Sequence, residues 1–567
     1  MIGECFLSNT SPKFHPPKSW LGRTAMSLVI TAVVGFVSFY LTLPALNFHD
    51  EGFYGFLLLL CLVYVGSVFV LSGGTFFDKA ATPKDKLSSW LRFIKSRCLP
   101  VAILFVVVTV INLGGQLLSQ PFLRASAYRD LLTVEEGNFA QDVAQISFNK
   151  IPTLDRLSAE YLGDRQMGTL SDMVSQFEYS NDSTQINYQG RPVRVAPIDY
   201  ADLIKWITNR GNGLPAYVVV DMVTQEATVV RLSEGMKYSF SEPLNRNIIR
   251  HLRFQFPTMM FATPQFEIDE TGHPWWIAPR VVKTIGLFGG TDIKGAVLCD
   301  AVTGDCTYYE DVPTWVDTVY TPELIMQQYD YHGTFVNGFI NSIFGQRGVT
   351  LTTDGYNYIA MNDDVYVYTG VTSANADQSN LGFLLCNMRT KETHYYVAPG
   401  ATETAAKLSA MGEVQDLGYM ATFPLLLNIS GEPTYFIPLK DATDLVKMYA
   451  MVNVAQYQIV ATGTTVSSCE QNYIRMLSEK GIAQPEALPQ TQASGAIAEI
   501  RTAVLSGTTY CFLRLEGQEL FYSISAAEYR DVITLNVGDK VTINHAVPGE
   551  EAASILDGYS LTIDARA

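Results

Sequence analysis

Three apolar runs occupy the first 120 residues, and about 440 mostly polar residues follow without a fourth. The runs lie at about Thr24–Ala45, Gly52–Ser72 and Leu99–Leu118, and none contains Asp, Glu, Lys or Arg. Each is near the ~20 residues a helix needs to cross a hydrocarbon core. A chain laid out this way anchors one large domain on a single side of a bilayer. The expected fold is α+β: three N-terminal transmembrane helices, a large repeated β-rich α+β region outside the cytoplasm, and a small C-terminal β-barrel.

The basic residues set the orientation. Lys13, Lys18 and Arg23 precede the first run, and Lys79, Lys84, Lys86, Arg92, Lys95 and Arg97 separate the second from the third. The loop between the first two runs holds His49, Asp50 and Glu51 and no Lys or Arg. Three crossings put both basic segments on one side, which the positive-inside rule makes the cytoplasm. The large domain is then extracytoplasmic. A signal peptide is the competing reading of the first run, but its core is longer than the usual 7–15 or so residues. Ala125-Ser126-Ala127 offers a cleavage site after the third run, which is also too long.

Beyond residue 98 the chain has 30 basic and 51 acidic side chains. Such a surface excludes nucleic acid and anionic headgroups as direct partners of the domain. The expected partners are the membrane itself and an envelope component or partner protein. Of the domain's five cysteines, Cys299 and Cys306 flank one turn in "VLCDAVTGDCTYY". A hairpin there would face them for a disulfide in an oxidising compartment, and two buried thiols fit the spacing equally well. No pair has the C-x-x-C spacing of a zinc or redox site.

Five segments share an apolar run, Asp or Asn, a short turn with Thr or Ser, and a second apolar run. Their turn residues are Asp221 with Thr224, Asp269 with Thr271, Asp300 with Thr303, Asn387 with Thr390, and Asn428 with Ser430. Each reads as a β-hairpin whose Asp or Asn side chain closes the turn. "TGHPWWIAP" after Asp269 and "SGEPTYFIP" after Asn428 continue alike, which predicts a duplication over roughly 215–310 and 380–463.

The hairpins resemble the PepSY family, in which a strand ending in Asp and a Thr-Gly turn lead into a second strand. The likeness covers about 15 residues at each of five places, and Asp300-Ala-Val-Thr303-Gly304-Asp305 fits best. The segments at Asp221 and Asn387 lack the Gly, and those at Asp269 and Asn428 are one residue shorter in the turn. The resemblance implies extracytoplasmic modules that bind or regulate and carry no catalytic residues. The chain then divides into a membrane domain (1–120), an α/β leading segment (121–214), a first repeat module (215–310), an aromatic helical and strand connector (311–379) and a second repeat module (380–480). A Pro-, Gln- and Ala-rich linker (481–495) and a five-stranded barrel, OB-like or SH3-like (496–567), complete it.

Signatures of chemistry are sparse. G-x-x-x-x-G-K-[ST], H-E-x-x-H, G-x-S-x-G and G-x-G-x-x-G are all absent. Ser147-Phe-Asn-Lys150 is an S-x-x-K without the K-T-G and S-D-N that its chemistry requires. Asn375, Asp377 and Ser379 are spaced by two, as oxygen ligands of a loop-bound Ca²⁺ can be, without the terminal bidentate Glu. An ordinary polar loop is the favoured reading, and no other cofactor is indicated. The expected function is non-catalytic: a membrane-anchored binding or scaffold protein of the cell envelope. An envelope hydrolase using acidic residues on peptidoglycan or peptides is the first alternative. An accessory subunit of a transport or signalling complex is the second.

Overall fold

The computed structural model describes residues 20–72, 83–143, 145, 151–361, 363–374, 379–482, 491–505, 508–526, 529–545 and 555–566. The apolar runs form α1 (Trp20–Thr42), α2 (Glu51–Ser72) and α3 (Pro83–Leu118), which contains Pro100. All three are long and apolar enough to cross a membrane, over Leu21–Thr42, Glu51–Ser72 and Ile94–Leu118. A turn at 119–120 leads into α4 (Pro121–Arg129), followed by β1 (Glu135–Gly137) and α5 (Phe139–Asp142).

Four units of one design follow. The first is α6 (Arg156–Gly168), β2 (Phe177–Tyr179), β3 (Thr184–Tyr188), β4 (Arg191–Tyr200), an inserted α7 (Leu203–Asn209), β5 (Leu214–Asp221) and β6 (Ala227–Met236). The second is α8 (Ile248–Gln255), β7 (Met260–Phe261), β8 (Gln265–Ile268), β9 (Pro274–Ile285), β10 (Gly289–Asp300) and β11 (Cys306–Tyr309). The third is α9 (Pro322–Thr334), α10 (Gly338–Ile340) with the π-helical turn Asn341–Gly345, β12 (Thr350–Thr352), β13 (Asn357–Met361), β14 (Asp364–Ser373), β15 (Ser379–Asn387) and β16 (Thr393–Ala401). The fourth is α11 (Glu403–Glu413), β17 (Met420–Ala421), β18 (Leu425–Ile429), β19 (Glu432–Lys440), β20 (Val446–Asn453) and β21 (Val460–Gly463), closed by α12 (Val466–Glu479). In every unit two short strands pair with the same long strand, which continues into an antiparallel meander of three. β1 adds to the third sheet in parallel with β16.

The structure thus repeats four times where the sequence pattern indicates two copies. The boundary at 215 cuts through the first unit, because β5 hydrogen-bonds to β4 over Pro197–Val193 and belongs to its sheet. The connector 311–379 holds the helix and first strands of the third unit.

Burial explains the strand sequences. Trp276, Ala278, Val297 and Cys299 point into a core shared with the first unit. Their neighbours Ile277, Ala296 and Leu298 point the other way, onto Val316 and Val319. The third sheet is also covered on both faces, with Val365, Val367, Leu384 and Cys386 against α9 and Tyr368, Phe383 and Leu385 against the fourth unit. A sheet buried on both faces needs continuous apolar runs rather than alternation, as "WWIA" and "FLLC" provide.

The last five strands are β22 (Thr491–Leu505), β23 (Thr508–Leu515), β24 (Phe521–Ser525), β25 (Lys540–His545) and β26 (Ile555–Ala565). They pair in the circuit β22, β23, β24, β26, β25, which returns to β22. Residues 483–490 of the expected linker lie outside the described residues, and Thr491 already begins β22.

The second unit sits on the membrane helices. Its turn between β9 and β10 enters beside Ser119, whose Oγ accepts from the N–H of Leu287 (3.0 Å) and Phe288 (2.9 Å). Phe288 packs edge-on to Tyr54 of α2. Arg253 Nε of α8 donates to the Leu43 carbonyl at 3.0 Å, and the Arg250 guanidinium lies 4.2 Å from the Tyr40 ring. The loop after α1 and the end of α3 therefore share the domain's side.

Candidate functional site

The expected turn residues fall into two classes. Asp221, Asp300 and Asn387 each end the middle strand of a meander. Each Oδ1 accepts from the second and third following N–H groups, at 2.8 and 2.9 Å, 2.7 and 3.0 Å, and 2.9 and 3.0 Å respectively. The fourth following residue has positive φ: Gln225 (62°), Gly304 (84°) and Lys391 (67°). The two non-glycine residues among them also tie units together through their side chains. Gln225 Nε2 reaches Tyr449 Oη of the fourth unit at 3.2 Å, and Lys391 Nζ reaches Asp292 of the second at 2.7 Å.

Asp269 and Asn428 close a different turn, between the second short strand and the long one. Asp269 Oδ1 accepts from Thr271 N and Oγ1, and its Oδ2 from Trp275 Nε1. Asn428 Oδ1 accepts from Gly431 N, while Ser430 and Gly431 form the left-handed turn pair. The fourth meander's counterpart of Asp300 is Asn453, whose Oδ1 accepts from Gln456 N at 2.8 Å. Its signal in the sequence is an Asn ending the apolar run "MYAMVN", followed by a longer loop. These residues are architectural.

Cys299 and Cys306 lie opposite one another on β10 and β11, joined as a disulfide with Cα atoms 4.1 Å apart. Cys386 and Cys511 are buried free thiols, and Cys469 is buried with its Sγ 3.5 Å from the Ala461 carbonyl. Asn375 and Asp377 lie outside the described residues, as do Ser147 and Lys150, and Ser379 opens β15 opposite Ala401. Among the described residues no group of three His, Cys, Asp or Glu side chains is placed to hold a metal.

A polar cleft of about 370 Å³ opens where all four units meet. The first unit supplies Arg156, Ser183, Gln185 and Arg194, the second Gln265, the third Glu323, Asn357 and Tyr358, and the fourth Phe423, between β17 and β18. Thr318 and Thr321, between the second and third units, complete one wall. The N-termini of α6 and α9, capped by Asp155 and Thr321, both face the cleft and bring positive dipole ends to it.

Arg194 is the unusual member. It is 4% exposed, on β4, and burial pushes its guanidinium down from the ordinary arginine range. Among the described residues no carboxylate lies within 4.0 Å of it. Nη1 donates to Ser183 O and Oγ at 3.2 Å, Nη2 reaches Gln185 Oε1 only at 3.5 Å, and Nε has no partner. The neighbouring Arg156 is spent on Glu160 at 2.6 Å, and Glu323 accepts from Tyr356 Oη at 2.8 Å.

A buried acidic pair stands behind the Thr318 wall. Glu267 accepts from the N–H of Asp317 (2.9 Å) and Thr318 (2.8 Å), and burial pushes its carboxyl up to about 7. Asp317 accepts from Asn187 N at 2.7 Å and is pushed well up by burial and by Glu267. Both are held by backbone donors and serve to join the first three units.

No protein-family model matches the chain, and no curated protein matches it. A solved structure of a levansucrase variant from B. megaterium aligns with 10% identity over 76% of this chain and 96% of that chain, at a TM-score of 0.17. A superposition that poor carries no argument about fold or activity.

Proposed function

We propose that the protein is a membrane-anchored, non-catalytic binding protein of the cell envelope, with its four-unit domain outside the cytoplasm. The observation that carries this reading is the cleft at the junction of the four units. Its lining holds a buried arginine without an ionic partner, and its carboxylates are each engaged by a protein donor. Asp155 binds Lys440 (2.9 Å) and Ser158 N (2.9 Å), which leaves it poorly placed for acid–base work.

The units read as PepSY-like modules, each a helix followed by an antiparallel sheet, and the C-terminal circuit reads as a small OB-like or SH3-like barrel. The basic segments before α1 and between α2 and α3 supply the orientation. The membrane seating gains support from an exposed apolar rim beside the end of α3. Phe344 and Ile340 are 85% and 75% exposed, and Phe339 packs on Phe122 at the start of α4. Such a rim is suited to the bilayer interface.

A cysteine placed at exposed Glu413 tests the location. E413C should react with a membrane-impermeant maleimide on intact cells. Reaction only after lysis would put the domain in the cytoplasm and end the envelope reading.

A further inference from the structure

We propose that α7 is a second membrane-docking element, lying in the lipid interface beside the end of α1. The proposal rests on α1 crossing the bilayer and is independent of which side the domain faces. Leu203, Ile204 and Ile207 are 62%, 68% and 56% exposed. At positions i, i+1 and i+4 they share one face of the helix. Trp206 occupies the opposite face, buried, with its Nε1 donating to Glu242 at 2.7 Å. The helix is fastened to the domain by its aromatic side and carries its aliphatic side bare. The sheet does not need this insertion, because the second and fourth units join the same two strands by short turns, 286–288 and 441–445.

Continuity with the membrane seat points to what the bare face meets. Tyr40 lies in the last turn of α1, at the level where aromatic side chains border lipid headgroups. Its Oη donates to Asn245 Oδ1 at 3.3 Å, and its carbonyl accepts from Arg250 Nε at 3.4 Å. The residue after Asn245, Arg246, donates from Nη1 to the carbonyl of Arg210, the residue that ends α7, at 2.7 Å. One arginine side chain therefore links α7 to the neighbour of a residue that touches α1. Leu244, 49% exposed and bonded to Arg250 through its carbonyl at 2.6 Å, adds apolar surface on this side.

Charge agrees with a lipid surface. The segments 202–210 and 240–250 hold Lys205, Arg210, Arg246 and Arg250 against Asp202 and the buried Glu242, a positive margin in a domain that is acidic overall. Arg246 and Arg250 spend hydrogen bonds on backbone carbonyls rather than on carboxylates. Aliphatic side chains bordered by Lys and Arg are the pattern of a helix lying in the interface, where the phosphates of zwitterionic lipid meet the basic groups. The Phe344 rim stands beside Phe122 on the α3 side. A contact through α7 on the α1 side gives the domain a second point on the bilayer and fixes its tilt.

The test is nitroxide spin labelling of I204C and I207C in the full chain, in phosphatidylcholine nanodiscs holding one chain each. Power saturation with oxygen, which concentrates in lipid, and with an aqueous nickel chelate reads the surroundings of each label. L104C, at an exposed site within the span of α3, is the lipid reference, and E413C is the water reference. The unsubstituted chain, treated alike, supplies the background from native thiols. Both α7 labels should collide more with oxygen than with the chelate, as L104C does. Collisions dominated by the chelate, as at E413C, overturn the proposal and leave the anchor intact. Protection from both reagents puts protein on this face and overturns it as well. A water-like L104C would refute the span of α3 and, with it, the membrane seat on which the proposal stands.

Discussion

Glu470 offers the sharpest energetic test of the packing between the fourth unit and the segment before the first. It lies on α12, 1% exposed, and accepts a hydrogen bond from Gln145 Nε2 at 3.2 Å. No described lysine or arginine forms an ion pair with it, and burial pushes its carboxyl up to about 8 from 4.5. The folded state therefore holds this proton more tightly than the unfolded chain does. Its contribution is intact below the unfolded value and is lost as pH rises from about 4.5 through about 8, at ~1.4 kcal/mol per pH unit. The full window amounts to at most ~5 kcal/mol. E470Q keeps the size and the acceptor and never ionises. It should therefore be stabilised relative to the parent, by ~3 kcal/mol more at about pH 7.5 than at about pH 5.5. Calorimetry of both proteins in nanodiscs measures this directly. Glu267, pushed up to about 7, slopes both curves in the same direction, so the difference isolates Glu470. Parallel melting curves across that range would show that Glu470 is not buried as described.

Three further predictions address the joints. S119A removes the acceptor for two N–H groups at the membrane contact and should cost ~2–4 kcal/mol, read as faster amide exchange at 286–290 than in the parent. K391G relieves a left-handed backbone yet breaks the tie to Asp292, so unfolding in urea should show a net loss of ~1–3 kcal/mol; a gain would mean the tie contributes less than the strain. F344W should be quenched by brominated lipids if the apolar rim enters the interface, and unquenched emission typical of water would place the rim in solvent.

The sequence makes some features legible and hides others for physical reasons. Long uncharged runs have no soluble interpretation, so the three helices are plain. Hairpins are plain where Asp or Asn ends an apolar run and a turn residue follows within four positions. The first unit's likeness to the second and fourth is hidden because its corresponding short turn uses Tyr188-Gln189-Gly190 in place of the Asp or Asn. The insertion of α7 between β4 and β5 also breaks the first unit's spacing. The cleft has no sequence signature at all. Arg194, Thr321 and Tyr358 are brought together only by the packing of separate units, and nothing local distinguishes Arg194 from an ordinary exposed strand arginine. Its missing carboxylate is visible only in three dimensions.

The central claim is that four units close on one another around the cleft. Zero-length carbodiimide coupling of the full chain, followed by peptide mass spectrometry, tests it most directly. Lys440 Nζ lies 2.9 Å from Asp155, joining the fourth unit to the first, and Lys391 Nζ lies 2.7 Å from Asp292, joining the third to the second. Lys294 and Glu310, 3.2 Å apart within the second unit, form the internal control. The account predicts Lys440–Asp155 and Lys391–Asp292 isopeptides alongside the control. The control cross-link without either of the others would contradict the closed arrangement and, with it, the cleft.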